Sequence, residues 1–445
     1  MIDQRVLSHA RRPLQQLLCL LGLYLCCGAV CAATIALVGG VVIDGTGRAP
    51  IPDGVVVIDH DVIVAIGARD EIKVPDDAVV MDVTGQTVLP GLIDMGVRLD
   101  RLGDPNVARF MGRYKGLTER VIIPQAAKSL LYAGITSARD ISGATQSMLS
   151  TRRQVNTWKW PGPRLRVGGA WLVARPHPEW DSATRVVGDI ASDLHSQVQA
   201  GVDWVVLAAA HEFSEAQLHQ IVTGAASLGV RVTALNMTPE DALAALKAGI
   251  HDMTGLGQLT PTTLSPALIS ALEAVRYSSN PLHWNVAVTA EAPLALGTTW
   301  GQGLAQDTAI APFIKNDLSY SGRLARAAAD TTDWSSRRQN LTEVLGTLRS
   351  AGVRFGVASR AGDAYQWTGE ATVREIKALV EWAGLTPLEA IAAATGSNAA
   401  ALGIDAGVLK VGAVADMIVV AGDVSQNIDC LEHLTMLFES GIRYR

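Results

Sequence analysis

Val88-Leu89-Pro90-Gly91-Leu92-Ile93-Asp94 divides the sequence into two kinds of pattern. Upstream lie short β-branched runs broken by polar turns. Ile35 to Ile43 (IALVGGVVI) leads into Asp44-Gly45-Thr46-Gly47, and Val55–Ile58 and Val62–Ile66 flank Asp59-His60-Asp61. Val79–Val83 and Thr87–Leu89 follow, each reading as a strand. At the far end Met417–Val420 and Met436–Phe438 look alike, with Gly422 and Gly441 at turns. So few short strands at either terminus cannot bury a face alone. Residues 34–90 plus 402–445 are therefore expected to form one composite β-sandwich domain, enclosing residues 91–401.

Downstream of the dividing stretch the pattern alternates. Apolar runs at Arg164–Gly168, Val202–Ala208, Val230–Ala234 and Val353–Val357 are interleaved with helical periodicity at Ile122–Ala133, Ser214–Leu228, Pro239–Ala248 and Val373–Ala383. Ser214 and Thr238 suit helix N-caps, with Glu215 and Glu240 in the first turns. Repeated strand–helix units imply a parallel sheet, and about eight of them imply an α/β fold of the (β/α)8 TIM-barrel type. Chemistry in such a barrel sits at the C-terminal ends of the strands.

The first 33 residues carry a different signal. Arg5, Arg11 and Arg12 precede an uncharged apolar run from Leu17 to Ala29, which ends in Val30-Cys31-Ala32-Ala33. A basic start, an apolar centre and small residues at the exit predict a Sec-type signal peptide. The expected location is periplasmic or extracellular, or tethered to the membrane if the segment is retained. Cys19, Cys26, Cys27 and Cys31 fall inside it, leaving Cys430 alone in the remainder. One thiol makes neither an intramolecular disulfide nor a thiolate zinc site.

Composition narrows the function. The 445 residues are 49% hydrophobic and 18% charged, enough for a large core. A net charge of −6 leaves no basic surplus for phosphate neutralisation, and 5% aromatic residues leave few stacking platforms. No nucleic-acid partner is expected.

The Val88–Asp94 stretch resembles the approach to the barrel in the metal-dependent amidohydrolase superfamily, particularly its imidazolonepropionase and Xaa-Pro dipeptidase-like branch. Gly39–Gly45, Gly134–Asp140, Leu385–Ala390 with Ala394-Thr395, and Ala415–Val420 resemble further family motifs in the same order. The resemblance implies one or two divalent metals that activate water against a C–N bond. A catalytic zinc of this kind needs three protein ligands. The positions where the resemblance implies ligands or the catalytic acid are Gly96, Arg98, Val206, Leu235, Gly255 and Arg360. None can donate an electron pair to a metal. The sequence therefore predicts no cofactor and no catalytic residue, and a binding or regulatory pseudoenzyme. A C–N hydrolase with a non-standard site, using a divalent metal such as zinc, is the alternative.

Other residues could serve that alternative or a ligand. Arg98 and Arg360 stand on strands expected to be neighbours, where two guanidiniums would suit a small anionic ligand. Alternatively they pair with Asp94, Asp100, Asp140 or Asp363 and fill the vacated volume. Asp363 could also be a displaced acid. His177 and His211, with Glu212, could bind a metal from loops, although ordinary loop histidines read the same way. His251 reads as structural; His60, His195, His219 and His433 fall in turns or on helix surfaces. A homo-oligomer, or a hetero-oligomer with an active relative, is the expected assembly.

Overall fold

The computed structural model describes residues 34–178, 180, 184–235, 238–276, 282–291, 304, 306–329 and 334–445. The expected signal peptide, residues 1–33, lies outside them. Among the described residues no helix is long and apolar enough to cross a membrane.

Among the described residues five strands come first: β1 (Ile35–Val42), β2 (Ile51–Asp59), β3 (Val62–Ala68), β4 (Val79–Asp82) and β5 (Gln86–Pro90). Ten follow in the middle: β6 (Leu92–Val97), β7 (Ile135–Asp140), β8 (Arg164–Val167), β9 (Trp171–Val173), β10 (Thr184–Val186), β11 (Trp204–Ala208), β12 (Arg231–Leu235), β13 (Asp252–Thr254), β14 (His283–Val286) and β15 (Arg354–Val357). Three come last: β16 (Met417–Ala421), β17 (Leu434–Glu439) and β18 (Ile442–Arg443).

The two chain ends meet in one sheet of order β18-β17-β16-β5-β1-β2-β3, with β4 also on β1. The seam is β5 against β16, antiparallel from Pro90–Met417 to Gln86–Ala421. Strand β1 serves two partners on one side, β4 through Ile35–Val38 and β5 through Val41–Val42. The change falls at a bulge around Gly39 and Gly40, where the ladder to β2 also shifts register. Gly39 has φ +92, and a Cβ there would lie 2.6 Å from Thr84 Oγ1. The expected sandwich from both chain ends is thus seen as one hydrogen-bonded sheet. Leu37, Val56, Ile63, Val88, Val419 and Phe438 form its core.

The middle strands pair in parallel throughout, in a β6-β7-β8 sheet and a β10-β9-β11-β12-β13-β14-β15 sheet. Hydrogen bonds cross between the two. Asp203 N donates to Val167 O and Gly169 N to Trp204 O, while Arg360 N donates to Gly96 O and Arg98 N to Ala361 O. Capped helices connect the strands. Ser214 and Thr238 are N-caps, as the sequence suggested, and each completes a capping box, with Gln217 and Asp241.

The interior of this unit holds a charge. Arg139, wholly buried on β7, donates to Met95 O at 2.8 Å, Asp252 Oδ1 at 2.9 Å and Thr254 Oγ1 at 3.1 Å. Its guanidinium lies 4.6 Å from the Trp204 ring centroid. A buried cation persists only when paired and hydrogen-bonded.

Arg164 at the start of β8 binds Asp416 with two nitrogens and Ser440 Oγ with one, fastening the parallel unit to the terminal sheet. Glu439 is buried beside this pair. Burial, and then the Asp416 charge, push its carboxyl from 4.5 up to about 8. Between those values the folded chain keeps a proton that the unfolded chain has released, so stability falls as pH rises through that window. Burial pushes Glu375 to about 7 and Asp140 to about 6, with the same sign. Thermal unfolding between pH 5 and pH 8 should show a falling midpoint, and Glu439→Gln should flatten the fall. Parallel wild-type and variant curves would contradict the assignment.

Candidate active site at the strand C-termini

The ends of β6 and β15 set the geometry. Two turns interlock there, at Val97–Asp100 and Ser359–Asp363. A Cβ on Gly362, at φ +106, would meet Arg98 O at 2.0 Å, so only glycine allows the approach. Arg360 itself adopts φ +54, a strained conformation for a side-chain-bearing residue. Asp363 is thereby brought back over the strand ends. It accepts from Arg360 Nε at 2.8 Å, and lies 3.4 Å from Arg98 Nη1 and 3.6 Å from Arg101 Nη1. Arg101 also pairs with Asp100 at 3.1 Å. Burial alone would push the Asp363 carboxyl up, but Arg360, Arg98 and Arg101 outweigh it and hold the group below the usual carboxylate range.

Beneath this cluster the volume is filled with hydrocarbon. Val206 and Leu235 pack with Ile141, Trp171, Val173 and Ala208 in one buried group. Trp171 donates from Nε1 to Ile141 O at 2.8 Å, and the Arg98 guanidinium lies 5.1 Å from its ring centroid. At Gly96 an added Cβ would stand 2.9 Å from the Ala358 Cβ, so no larger residue fits without movement. The pocket remaining between Arg98, Trp171, Leu235, Gly255, Arg360 and Asp363 encloses about 20 Å³. That is room for about one water.

A divalent ion does not fit these residues. Gly96, Arg98, Val206, Leu235, Gly255 and Arg360 present cations, hydrocarbon and bare backbone at one place. Among the described residues no three His, Cys, Asp or Glu side chains converge.

The other sequence candidates are drawn elsewhere. His177, buried, stacks on Trp180 at 3.9 Å between ring centroids, and its Nε2 is 3.1 Å from Glu212 Oε2. Arg175 holds the other Glu212 oxygen. His211 turns to Asp241, Nδ1 to Oδ1 at 2.7 Å, so the two histidines do not share Glu212. Asp140 is wholly buried and accepts from Leu99 N, Ser142 N and Ser142 Oγ. Asp94 is buried likewise, accepting from Ser359 and Thr372. Both guanidiniums expected to await an anion are engaged by Asp363, the pairing that sequence reasoning set beside the ligand reading. Sequence reasoning missed Ile141, Trp171, Trp180 and Arg101. A tryptophan two residues beyond Gly168-Gly169, at the expected end of a strand, was the available signal for Trp171.

Parallel strands with intervening helices and a sheet built from both chain ends define a mixed α/β protein. The chain belongs to the amidohydrolase family, which it matches over residues 87–442. No curated protein sequence matches it significantly. Among solved structures it is similar to a Xaa-Pro dipeptidase with methionine bound in the active site, at 18% identity and TM-score 0.70 over 93% of this chain and 100% of that one. A molinate hydrolase gives 20% identity and TM-score 0.70, over 92% and 94% of the two chains. An ochratoxinase from A. niger gives 18% identity and TM-score 0.65, over 93% and 96%.

Removing the Asp363 charge would take away the carboxylate that Arg98, Arg101 and Arg360 share, leaving Asp100 on Arg101. Asp363→Asn should cost on the order of 3 kcal/mol in denaturant unfolding. Adding Arg360→Gln should restore part of that loss. A change below about 0.5 kcal/mol, typical of an exposed site, would show that the cluster holds nothing together.

Proposed function

We propose that this chain is a non-hydrolytic member of the amidohydrolase family, acting as a binding or regulatory protein. The observation that carries the reading is the filled site. Arg98 and Arg360 share Asp363 over a plug of Val206, Leu235, Ile141 and Trp171, at the positions where the family resemblance implies metal donors. Metal-bound water needs converging donors and space, and about 20 Å³ offers neither to a dipeptide. The parallel unit in this reading is a closed (β/α)8 barrel. The hydrogen bonds from Arg360 to Gly96 and from Arg98 to Ala361 support closure. The N-terminal pattern of Arg5, Arg11, Arg12 and Leu17–Ala29 supports export, and pairing with a second copy or an active relative belongs to the same proposal.

A second reading is a hydrolase acting on C–N bonds through a non-standard site. It is favoured by the hydrolase names of the similar structures and by the His211–Asp241 pair, in which a carboxylate orients an imidazole.

One experiment separates the two. Purified protein is incubated with zinc or manganese, desalted and assayed for bound metal, then tested on Xaa-Pro dipeptides and simple amides with and without chelator. The first reading expects substoichiometric metal and no turnover. One metal per chain with chelator-sensitive turnover overturns it. Turnover that resists chelator but is lost in His211→Ala overturns it too, in favour of the second.

A further inference from the structure

The opposite end of the parallel unit carries a larger feature. At the N-terminal ends of β11 to β15 the chain leaves a cavity of about 820 Å³, open to solvent, between the strand ends, the 396–401 segment and the Gly45–Thr46 turn. Pockets for drug-sized ligands span roughly 300–1,000 Å³. One wall is apolar, built from Val222, Val230, Val232 and Ile250. Two arginines and two histidines face it, and its acid is already matched. Asp252 is held at 2.9 Å by the buried Arg139. Arg231 lies over the Trp204 ring and donates to Ala401 O, so it is fixed in place but keeps its charge. Arg354 is exposed at the rim, and its guanidinium has no hydrogen-bond or ion-pair partner among the described residues. Burial lowers the His283 pKa, so this inner group is neutral at pH 7 and hydrogen-bonds Asn398 at 3.1 Å.

Unmatched positive charge beside a hydrocarbon wall selects an organic anion with an apolar body. We propose that this cavity binds a small monocarboxylate carrying an aromatic or medium aliphatic chain. The carboxylate meets Arg354, whose planar fork suits it, and the chain lies along Val222, Val232 and Ile250. This site is separate from the Asp363 cluster and stands whether or not the strand C-termini catalyse anything.

Titration calorimetry on the purified protein with phenylacetate and octanoate tests the proposal, with phenylacetamide as the neutral control. The expected result is saturable binding of the carboxylates, about tenfold weaker for the amide and in Arg354→Gln. Ala400→Phe, which grows a side chain into the cavity, should abolish binding, and Arg98→Ala should leave it intact. No binding by the folded wild type, equal binding of the amide, or full affinity in Arg354→Gln overturns the site. Loss in Arg98→Ala with retention in Arg354→Gln would move the ligand to the strand C-termini and also overturn it.

Discussion

One carboxylate organises the end of the fold where chemistry is expected. Asp363 sits within 3.6 Å of guanidinium nitrogens from Arg98, Arg101 and Arg360. Arg101 has Asp100 as a second carboxylate, and all three cations share Asp363. Like charges at such range repel, so the turn at Ser359–Asp363 and the turn after β6 must stay docked for the cluster to exist. Gly362 against the Arg98 carbonyl is the steric condition for that docking. The positive φ of Arg360 is the local strain it imposes.

Below the cluster the logic changes from charge to packing. Val206, Leu235, Ile141 and Trp171 make an apolar plug, and Gly96 has no room for a side chain. Deeper still, Arg139 and Asp252 form a second ion pair inside the strands. Desolvating two charges is costly, and their mutual attraction with hydrogen bonds to Met95 and Thr254 offsets it. Arg139 is thus matched inside the strands by Asp252 and by its hydrogen bonds to Met95 and Thr254.

Much of the fold was legible because local rules and tertiary structure agreed. Capping residues at Ser214 and Thr238 and β-branched runs at both termini survive into the structure. The absence of donors at Gly96, Val206, Leu235 and Gly255 could be read directly, since side-chain chemistry needs no coordinates. What filled their place could not. Trp171 and Ile141 reach the plug from different strand ends, and a sequence does not show which side chains lean inward. Asp363 was legible as a candidate, yet its capture of three arginines depends on a left-handed residue that only the backbone reveals. The large cavity at the N-terminal face was invisible for a similar reason. It lies between strand ends and a segment near residue 400, which the chain brings together from far apart.

The central claim is that the strand C-termini hold an ion pair and a hydrocarbon plug in place of a metal centre. Crystals soaked in zinc and recorded at the zinc absorption edge test it most directly. The account predicts no anomalous peak within bonding reach of the Gly96, Val206, Leu235 and Arg360 positions, with Asp363 still on its arginines. A strong peak there, held by three or more nitrogen or oxygen donors, would contradict it.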